Sequence, residues 1–125
     1  MQTTFYEAVG GEPTFRKIVA RFYEEVRDDN VLRALYPEED LGPAQERLTL
    51  FLMQYWGGPQ TYSAERGHPR LRMRHAPFAI GAAEREAWLR AMRVGVDEAG
   101  LEEAHRAQLW EYLEGTAQFL VNRGE

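Results

Sequence analysis

The sequence contains no cysteine among its 125 residues. Disulfide bonds, thiolate catalysis and cysteine-ligated zinc or iron–sulfur centres are therefore excluded. It also lacks any apolar run near the roughly 20 residues that a membrane-spanning helix needs. Its first residues lack the basic and apolar regions of a signal peptide. From these absences we expect no membrane insertion and a cytoplasmic location.

Basic residues are fewer than acidic residues in this chain. The chain carries 15 lysines and arginines against 20 acidic residues, a net charge of −5. Because attraction to phosphate supplies most of the affinity for nucleic acids, this balance argues against nucleic-acid binding. Phosphate-binding glycine loops, dinucleotide fingerprints and Gly-x-Ser-x-Gly motifs are also missing, so no catalytic residue is assigned.

Hydrophobic residues make up 44% of the chain, enough for one folded domain over residues 1–125. They recur at helical spacing, and no segment alternates as a strand does, so the sequence predicts an all-α fold. In the helix over residues 82–98, the predicted apolar stripe includes Trp88 and Met92. Residues 59–68 are predicted to be a loop, and Asn30 to cap a helix over residues 31–36. The other predicted helices cover residues 4–9, 13–28, 42–56 and about 102–121, with a further short helix between Pro69 and Pro77.

Residues 67–78, Gly-His-Pro-Arg-Leu-Arg-Met-Arg-His-Ala-Pro-Phe, are the most informative stretch. Pro69 suits the first position of a helix and Pro77 discourages its continuation, so about two helical turns fit between them. A helix this short is not stable alone and must be held by something that it packs on or binds. The segment offers the His75 imidazole, an apolar surface and three arginines, which suits a flat apolar cofactor that carries a metal and carboxylates.

Two simpler interpretations of this segment remain open. A histidine in a helix is more often a core or surface residue than a metal ligand, and a run of arginines usually forms a solvated face. His68 lies two helical turns from His75, but no motif with zinc-ligand spacing accompanies the pair.

Three aromatic residues, Tyr23, Tyr36 and Trp88, combine an apolar ring with one polar hydrogen on or beside apolar helical faces. Each hydrogen needs an acceptor, because leaving it buried and unpaired costs about 1–3 kcal/mol. A backbone carbonyl or water is the simplest partner. If the three converge, they form a donor-lined pocket suited to a polar diatomic ligand on a metal. Their positions on three separate helices do not show whether they converge, or whether Tyr23 touches Tyr36.

Taken together, these features resemble the group II truncated haemoglobins, and the resemblance covers nearly the whole chain. It implies a truncated globin fold, a two-over-two helical sandwich around one haem b per chain. His75 matches the family's proximal iron ligand, and Tyr23, Tyr36 and Trp88 match its three distal polar positions. The matching segments are residues 5–11, 21–23, 35–37, 54–59, 67–78 and 87–89.

The resemblance also implies a set of cofactor contacts. Ala44 stands where many globins carry a distal histidine, so a small residue leaves that passage open. Leu48 and Phe51 match apolar residues over the haem. The matches to partners of the haem propionates are Arg47, Tyr62, Arg72 and Arg74.

The function implied is reversible binding of dioxygen, nitric oxide, carbon monoxide or related small ligands at a ferrous iron. A backbone carbonyl or similar acceptor is expected to orient the second nitrogen of the ligating imidazole. Several distal donors predict slow release, which is poor for oxygen transport and better for sensing, scavenging or redox chemistry.

Two other functions are compatible with the residues. One is a redox enzyme, a peroxidase or a nitric oxide dioxygenase, that uses the same haem with an external electron donor such as a reductase. The other is a haem-free helical module that binds a partner through an aromatic groove. The sequence leaves a homodimer possible.

Overall fold

Over residues 3–123, the part of the chain that the computed structural model describes, there are eight helices and no strand. The predicted all-α fold is therefore confirmed. Within the same residues, no helix is long and apolar enough to cross a bilayer. The helices are α1 (Phe5–Ala8), α2 (Glu12–Asp28), α3 (Asn30–Arg33), α4 (Gly42–Tyr55), α5 (Thr61–Arg66), α6 (Leu71–His75), α7 (Ala82–Glu98) and α8 (Glu103–Phe119).

Helix α2 carries six buried side chains and packs against both α4 and α7. Its apolar residues recur every three or four positions, which places them on one face. Because α7 also packs on α8, the α2–α4 and α7–α8 pairs form the two layers of the sandwich. The most deeply buried members of the α2 face are Phe15, Ile18, Val19, Phe22 and Val26, each exposed by 1% or less.

Helices α2 and α7 approach each other closely at Gly95. A Cβ atom built on Gly95 would lie 2.6 Å from the carbonyl oxygen of Ile18 and 3.5 Å from the backbone nitrogen of Phe22. Only a residue without a side chain fits between these two backbones. The core-facing side of α7 is correspondingly small, with Ala87 and Ala91 buried beside Met92. Trp88, predicted within the apolar stripe, is only half-buried, although its ring packs against Phe22 of α2.

The first helix is fixed to the end of α4. Thr4 and Glu7 form a reciprocal capping box at the start of α1, and the Tyr6 N–H donates to the Trp56 carbonyl at 2.9 Å. Gly58 allows this approach, because a Cβ there would lie 2.7 Å from the Tyr6 ring. Gly58 therefore allows a tight corner at the end of α4.

Helix α3 begins one residue earlier than predicted. Asn30 is its first residue, and Asp29 is the cap, because the Asp29 carboxylate accepts from the N–H groups of Val31 (2.9 Å) and Leu32 (3.0 Å). The assignment of Asn30 as the capping residue is therefore wrong. Aspartate and asparagine have similar preferences for the capping position, so the sequence alone does not show which of the two neighbours caps the helix.

The prediction of a loop over residues 59–68 is also wrong, because this segment contains α5. The helix is held by tertiary contacts. The Gln54 side chain donates to the Ser63 hydroxyl at 2.7 Å and accepts from the Ser63 N–H at 2.9 Å, and Tyr62 is buried. A six-residue helix stabilised in this way leaves little periodic pattern in the sequence.

The close approach at Gly95 gives a test of the fold. We expect Gly95→Ala to lower the free energy of unfolding by about 1–3 kcal/mol, because two backbones must move apart to admit a methyl group. The matched control is Gly115→Ala in α8, where a Cβ would meet nothing within 4 Å. That change should stabilise the chain by about 0.5–1 kcal/mol through helix propensity. Urea unfolding of both variants measures the difference, and equal stabilisation by both would contradict the packing described.

Candidate functional site

A cavity of about 610 Å³ lies between the two helical layers. Its volume falls within the range of about 300–1,000 Å³ that is typical of small-molecule and cofactor sites. Ten of the eleven side chains singled out from the sequence line it: Tyr23, Tyr36, Ala44, Arg47, Leu48, Phe51, Tyr62, Arg74, His75 and Trp88.

His75 is the last residue of α6, and this helix begins at Leu71 rather than at Pro69 as predicted. The start is delayed because Arg70 adopts a left-handed conformation with φ of 45°. Arg70 is the one residue other than glycine with a positive φ among residues 3–123. The resulting helix has a little over one turn. Since residues four apart share a helical face, Leu71 and His75 both reach the cavity.

The His75 imidazole is oriented by its own helix. Its Nδ1 atom lies 2.7 Å from the Leu71 carbonyl oxygen. A carbonyl only accepts, so Nδ1 carries the hydrogen and Nε2 keeps its lone pair for a metal. The expected backbone partner of the imidazole is therefore present. Among the described residues no group of three or more His, Cys, Asp or Glu is arranged to hold a metal ion. A metal at His75 therefore needs the rest of its ligands from a cofactor.

Tyr23 and Tyr36 meet inside the cavity, which the sequence could not show. Their hydroxyl oxygens are 3.4 Å apart, with Tyr23 donating in a long hydrogen bond, and their rings lie nearly edge to face at 5.6 Å. Burial raises the pKa of both phenols, and the neighbouring Tyr36 raises the pKa of Tyr23 further. Because Tyr23 donates to Tyr36, the hydrogen of Tyr36 is left for another acceptor.

Trp88 adds a second donor. Its ring packs against the Phe22 ring at 5.5 Å and forms part of the cavity lining. Within residues 3–123 its indole N–H has no hydrogen-bond acceptor. The cavity therefore brings together one phenol hydrogen and one indole hydrogen that the protein itself leaves unused.

Cationic side chains from α4, α5 and α6 line the cavity. Arg74 is fixed there, because it donates to the carbonyls of Pro69 (2.7 Å) and Arg66 (2.9 Å). Arg66 also lines the cavity and was not selected from the sequence. Arg47 lies 3.9 Å from the Glu38 carboxylate, a distance at which the pairing is weak. These guanidinium groups suit the carboxylates of a cofactor.

Arg72 is the exception among the residues singled out. It does not line the cavity, and its guanidinium carbon instead lies 5.1 Å from the centre of the exposed Phe119 ring. Met73 lies on the side of α6 opposite to Leu71 and His75 and is exposed. Arg72 lies at the edge of the inner face, and its side chain extends over the Phe119 ring rather than into the cavity.

One wall of the cavity comes from α8 and the loop before α7. The sequence predicts a helix over about residues 102–121, but nothing in the sequence links this helix to the site. The residues involved are Phe78, Ile80, Leu113, Thr116, Ala117 and Leu120.

Asn122 ties the end of the chain to the loop behind His75, and nothing in the sequence pointed to it. Its Oδ1 accepts from the Ile80 N–H at 2.9 Å. Its Nδ2 donates to the carbonyls of Phe78 at 2.8 Å and His75 at 3.3 Å. Both the oxygen and the nitrogen of the Asn122 amide are therefore hydrogen-bonded to backbone groups at the base of the site, three groups in all.

We expect Asn122→Ala to lower the free energy of unfolding by about 1–3 kcal/mol, because it leaves these backbone groups without their partner. Urea unfolding measures the change. The control is Arg123→Ala, an exposed neighbour that should stay within about 0.5 kcal/mol of the parent. Equal losses in the two variants would show that the Asn122 contacts do not hold the loop.

Comparisons with known proteins agree with this geometry. The family model for bacterial-like globins matches residues 4–122. The group 2 truncated haemoglobin YjbI of Bacillus subtilis (strain 168) is 42% identical over 120 residues, which cover 96% of this chain and 89% of that protein.

Solved structures share the fold. A thermostable haemoglobin from the actinobacterium Thermobifida fusca superposes with a TM-score of 0.97 at 63% identity, covering 98% of this chain and 100% of that one. A truncated oxygen-avid haemoglobin from Bacillus subtilis gives a TM-score of 0.90 at 41% identity, covering 96% of this chain and 100% of that one. Family match, sequence identity and fold lead to one conclusion: the chain belongs to the bacterial-like globins, which are haem proteins, and among them to the group II truncated haemoglobins.

Proposed function

We propose that this globin binds one haem b per chain through His75, and uses it to hold dioxygen or a related diatomic gas that it releases slowly. The observation that carries the proposal is the pairing of an imidazole with a free Nε2 and two unused hydrogen-bond donors in the lining of one cavity.

The residues present fit the cofactor. The cavity has the size and apolar lining that a porphyrin needs, with Leu48 and Phe51 among its apolar residues. Arg47, Tyr62 and Arg74 supply the polar groups that suit the propionates. When bound, haem supplies an iron that takes up diatomic ligands in its ferrous state.

The donors decide how long a ligand stays. Tyr36 has its hydrogen available because Tyr23 donates to its oxygen, and Trp88 has no acceptor among residues 3–123. A neutral hydrogen bond contributes about 0.5–1.5 kcal/mol. Two such bonds therefore slow dissociation by roughly one to two decades. The relative from Bacillus subtilis that is described as oxygen-avid supports the same direction.

Slow release favours sensing, scavenging or redox handling of the gas over its transport. Among the lining residues His75 is the sole histidine, and the buried Ala44 stands where a distal histidine would be expected. The cavity therefore offers no second imidazole for acid–base work on a peroxide. We accordingly place reversible ligand binding ahead of peroxidase or dioxygenase turnover.

The donors can be tested singly. In the ferrous haem-loaded protein, we expect Trp88→Phe and Tyr36→Phe each to speed oxygen release by about 2- to 12-fold, the equivalent of one hydrogen bond. Stopped-flow displacement of oxygen by carbon monoxide measures the rate. Matched controls are Trp110→Phe and Tyr55→Phe, neither of which lines the cavity, and these should leave the rate unchanged. No acceleration in either cavity variant would refute donor-controlled release.

The raised phenol pKa values give a pH test. An ordinary tyrosine loses its hydrogen near pH 10. Because burial raises the pKa of Tyr23 and Tyr36, both keep their hydrogens above that pH. We therefore expect the oxygen off-rate to stay flat from pH 7 to about pH 10.5. A rise centred near pH 10 that disappears in Tyr36→Phe would mean that the phenols titrate normally and the prediction is wrong.

A further inference from the structure

Positive charge is concentrated in the segment that carries His75. Four arginines fall within residues 66–74, and no Asp or Glu occurs between Glu65 and Glu84. The remaining 11 lysines and arginines are outnumbered by the 20 carboxylates of the chain. The protein is therefore strongly acidic apart from one basic segment.

The arginines of the basic segment, residues 66–74, are not paired with carboxylates in the described part of the chain. Several arginines elsewhere pair with carboxylates, among them Arg16 and Arg106. Within residues 3–123, no arginine of the segment lies within 4.0 Å of a carboxylate oxygen. The Arg74 guanidinium is occupied by two backbone carbonyls. Arg70 and Arg72, by contrast, are exposed, and their guanidinium groups make no hydrogen bond to any residue described.

Apolar side chains stand beside these cations. Met73 is 61% exposed and Phe119 is 53% exposed, although most large apolar side chains of the chain are at least partly buried. Arg72 lies over the Phe119 ring. We call the patch formed by Arg70, Arg72, Met73 and Phe119 the arginine surface. It combines an apolar centre with positive charge that has no partner in the described part of the molecule.

The arginine surface lies next to the cavity. A groove of about 420 Å³ begins at Phe119 and is shared by α4, α6 and α8, with Glu111 as the single carboxylate on its lining. Leu71, Tyr112 and Thr116 line both this groove and the cavity. A molecule seated on the arginine surface is therefore separated from the cavity by one layer of side chains.

We propose that the arginine surface docks an acidic protein that carries single electrons, such as a [2Fe–2S] ferredoxin. The inference rests on the proposed haem function, because the docked protein returns the haem iron to its ferrous state. One electron leaves the reduced iron–sulfur cluster and enters the ferric iron. The cluster is oxidised by one electron, the iron is reduced by one, and no atom is transferred.

The chemistry of the patch favours such a partner. Complementary charge raises association rates, and added salt screens this attraction. A small patch of mixed polarity suits a weak electron-transfer contact of less than about 1,200 Å². An anionic membrane would also attract arginines. It would gain nothing from the thin wall between the groove and the cavity, and two exposed apolar side chains give it little to insert.

The test compares two double variants that each remove two positive charges. Arg70→Gln with Arg72→Gln changes the arginine surface without changing any cavity residue. Arg27→Gln with Arg90→Gln is the control, since both side chains are exposed and lie outside the segment. Titration calorimetry with oxidised plant-type [2Fe–2S] ferredoxin at low ionic strength measures binding. We expect the first variant to lose roughly tenfold in affinity, the control less than twofold, and 300 mM salt to abolish the difference.

Stopped-flow reduction of the ferric protein adds a second readout. The first variant should be reduced roughly tenfold more slowly by ferredoxin and no more slowly by hexaammineruthenium(II), a small cationic reductant. Equal losses in both double variants, or an absence of ferredoxin binding to the parent protein, would overturn the proposal. So would binding of the surface to phosphatidylglycerol vesicles but not to ferredoxin. A Soret band and the oxygen off-rate, recorded on the same samples, report separately on the proposed haem function.

Discussion

The hydrogen bond from His75 Nδ1 to the Leu71 carbonyl is the contact on which the site depends. It leaves Nε2 as the nitrogen with a free lone pair, and it does so within a helix of five residues. Such a helix makes too few backbone hydrogen bonds to persist alone. Its position must come from its surroundings, so the stability of the loop and of the C-terminal segment bears directly on the chemistry of the imidazole.

Those surroundings act from both ends of the helix. At its start, the left-handed Arg70 turns the chain so that Leu71 and His75 face the cavity. Past its end, Asn122 binds three backbone groups of residues 75–80 from 42 or more positions away in the chain. The turn at Arg70 is local and the hydrogen bonds of Asn122 are long-range. The imidazole is therefore held against rotation and against displacement by independent contacts.

The long helices were predictable because an amphipathic helix of four or five turns repeats its pattern several times. Over α7 the predicted bounds, residues 82–98, match the structure. The short elements were not predictable, because tertiary contacts decide them. Gln54 holds α5 through Ser63, and nothing in residues 59–68 reports that bond. Asn122 was missed for the same reason, since a single asparagine near the end of a chain carries no periodic pattern.

The cavity residues show a similar division. Tyr23, Tyr36 and Trp88 were selected because each joins an apolar ring to a polar hydrogen, and the resemblance to a family implied where they meet. The contact between Tyr23 and Tyr36 needed coordinates, because it depends on how α2 and the segment after α3 come together. Arg72 lies outside the cavity because its side chain extends over the Phe119 ring of α8, a tertiary contact that the sequence does not reveal.

The arrangement of α6 also has a consequence. Leu71 and His75 reach the cavity, whereas Arg72 and Met73 on the same turn are exposed. One short segment therefore has an inner face suited to a cofactor and an outer face suited to a charged partner. Because Arg70, Arg72 and Met73 do not line the cavity, the proposed docking and the proposed cofactor binding can be tested independently. A basic segment fixed against the cavity in an otherwise acidic protein is where a negatively charged electron donor would be drawn.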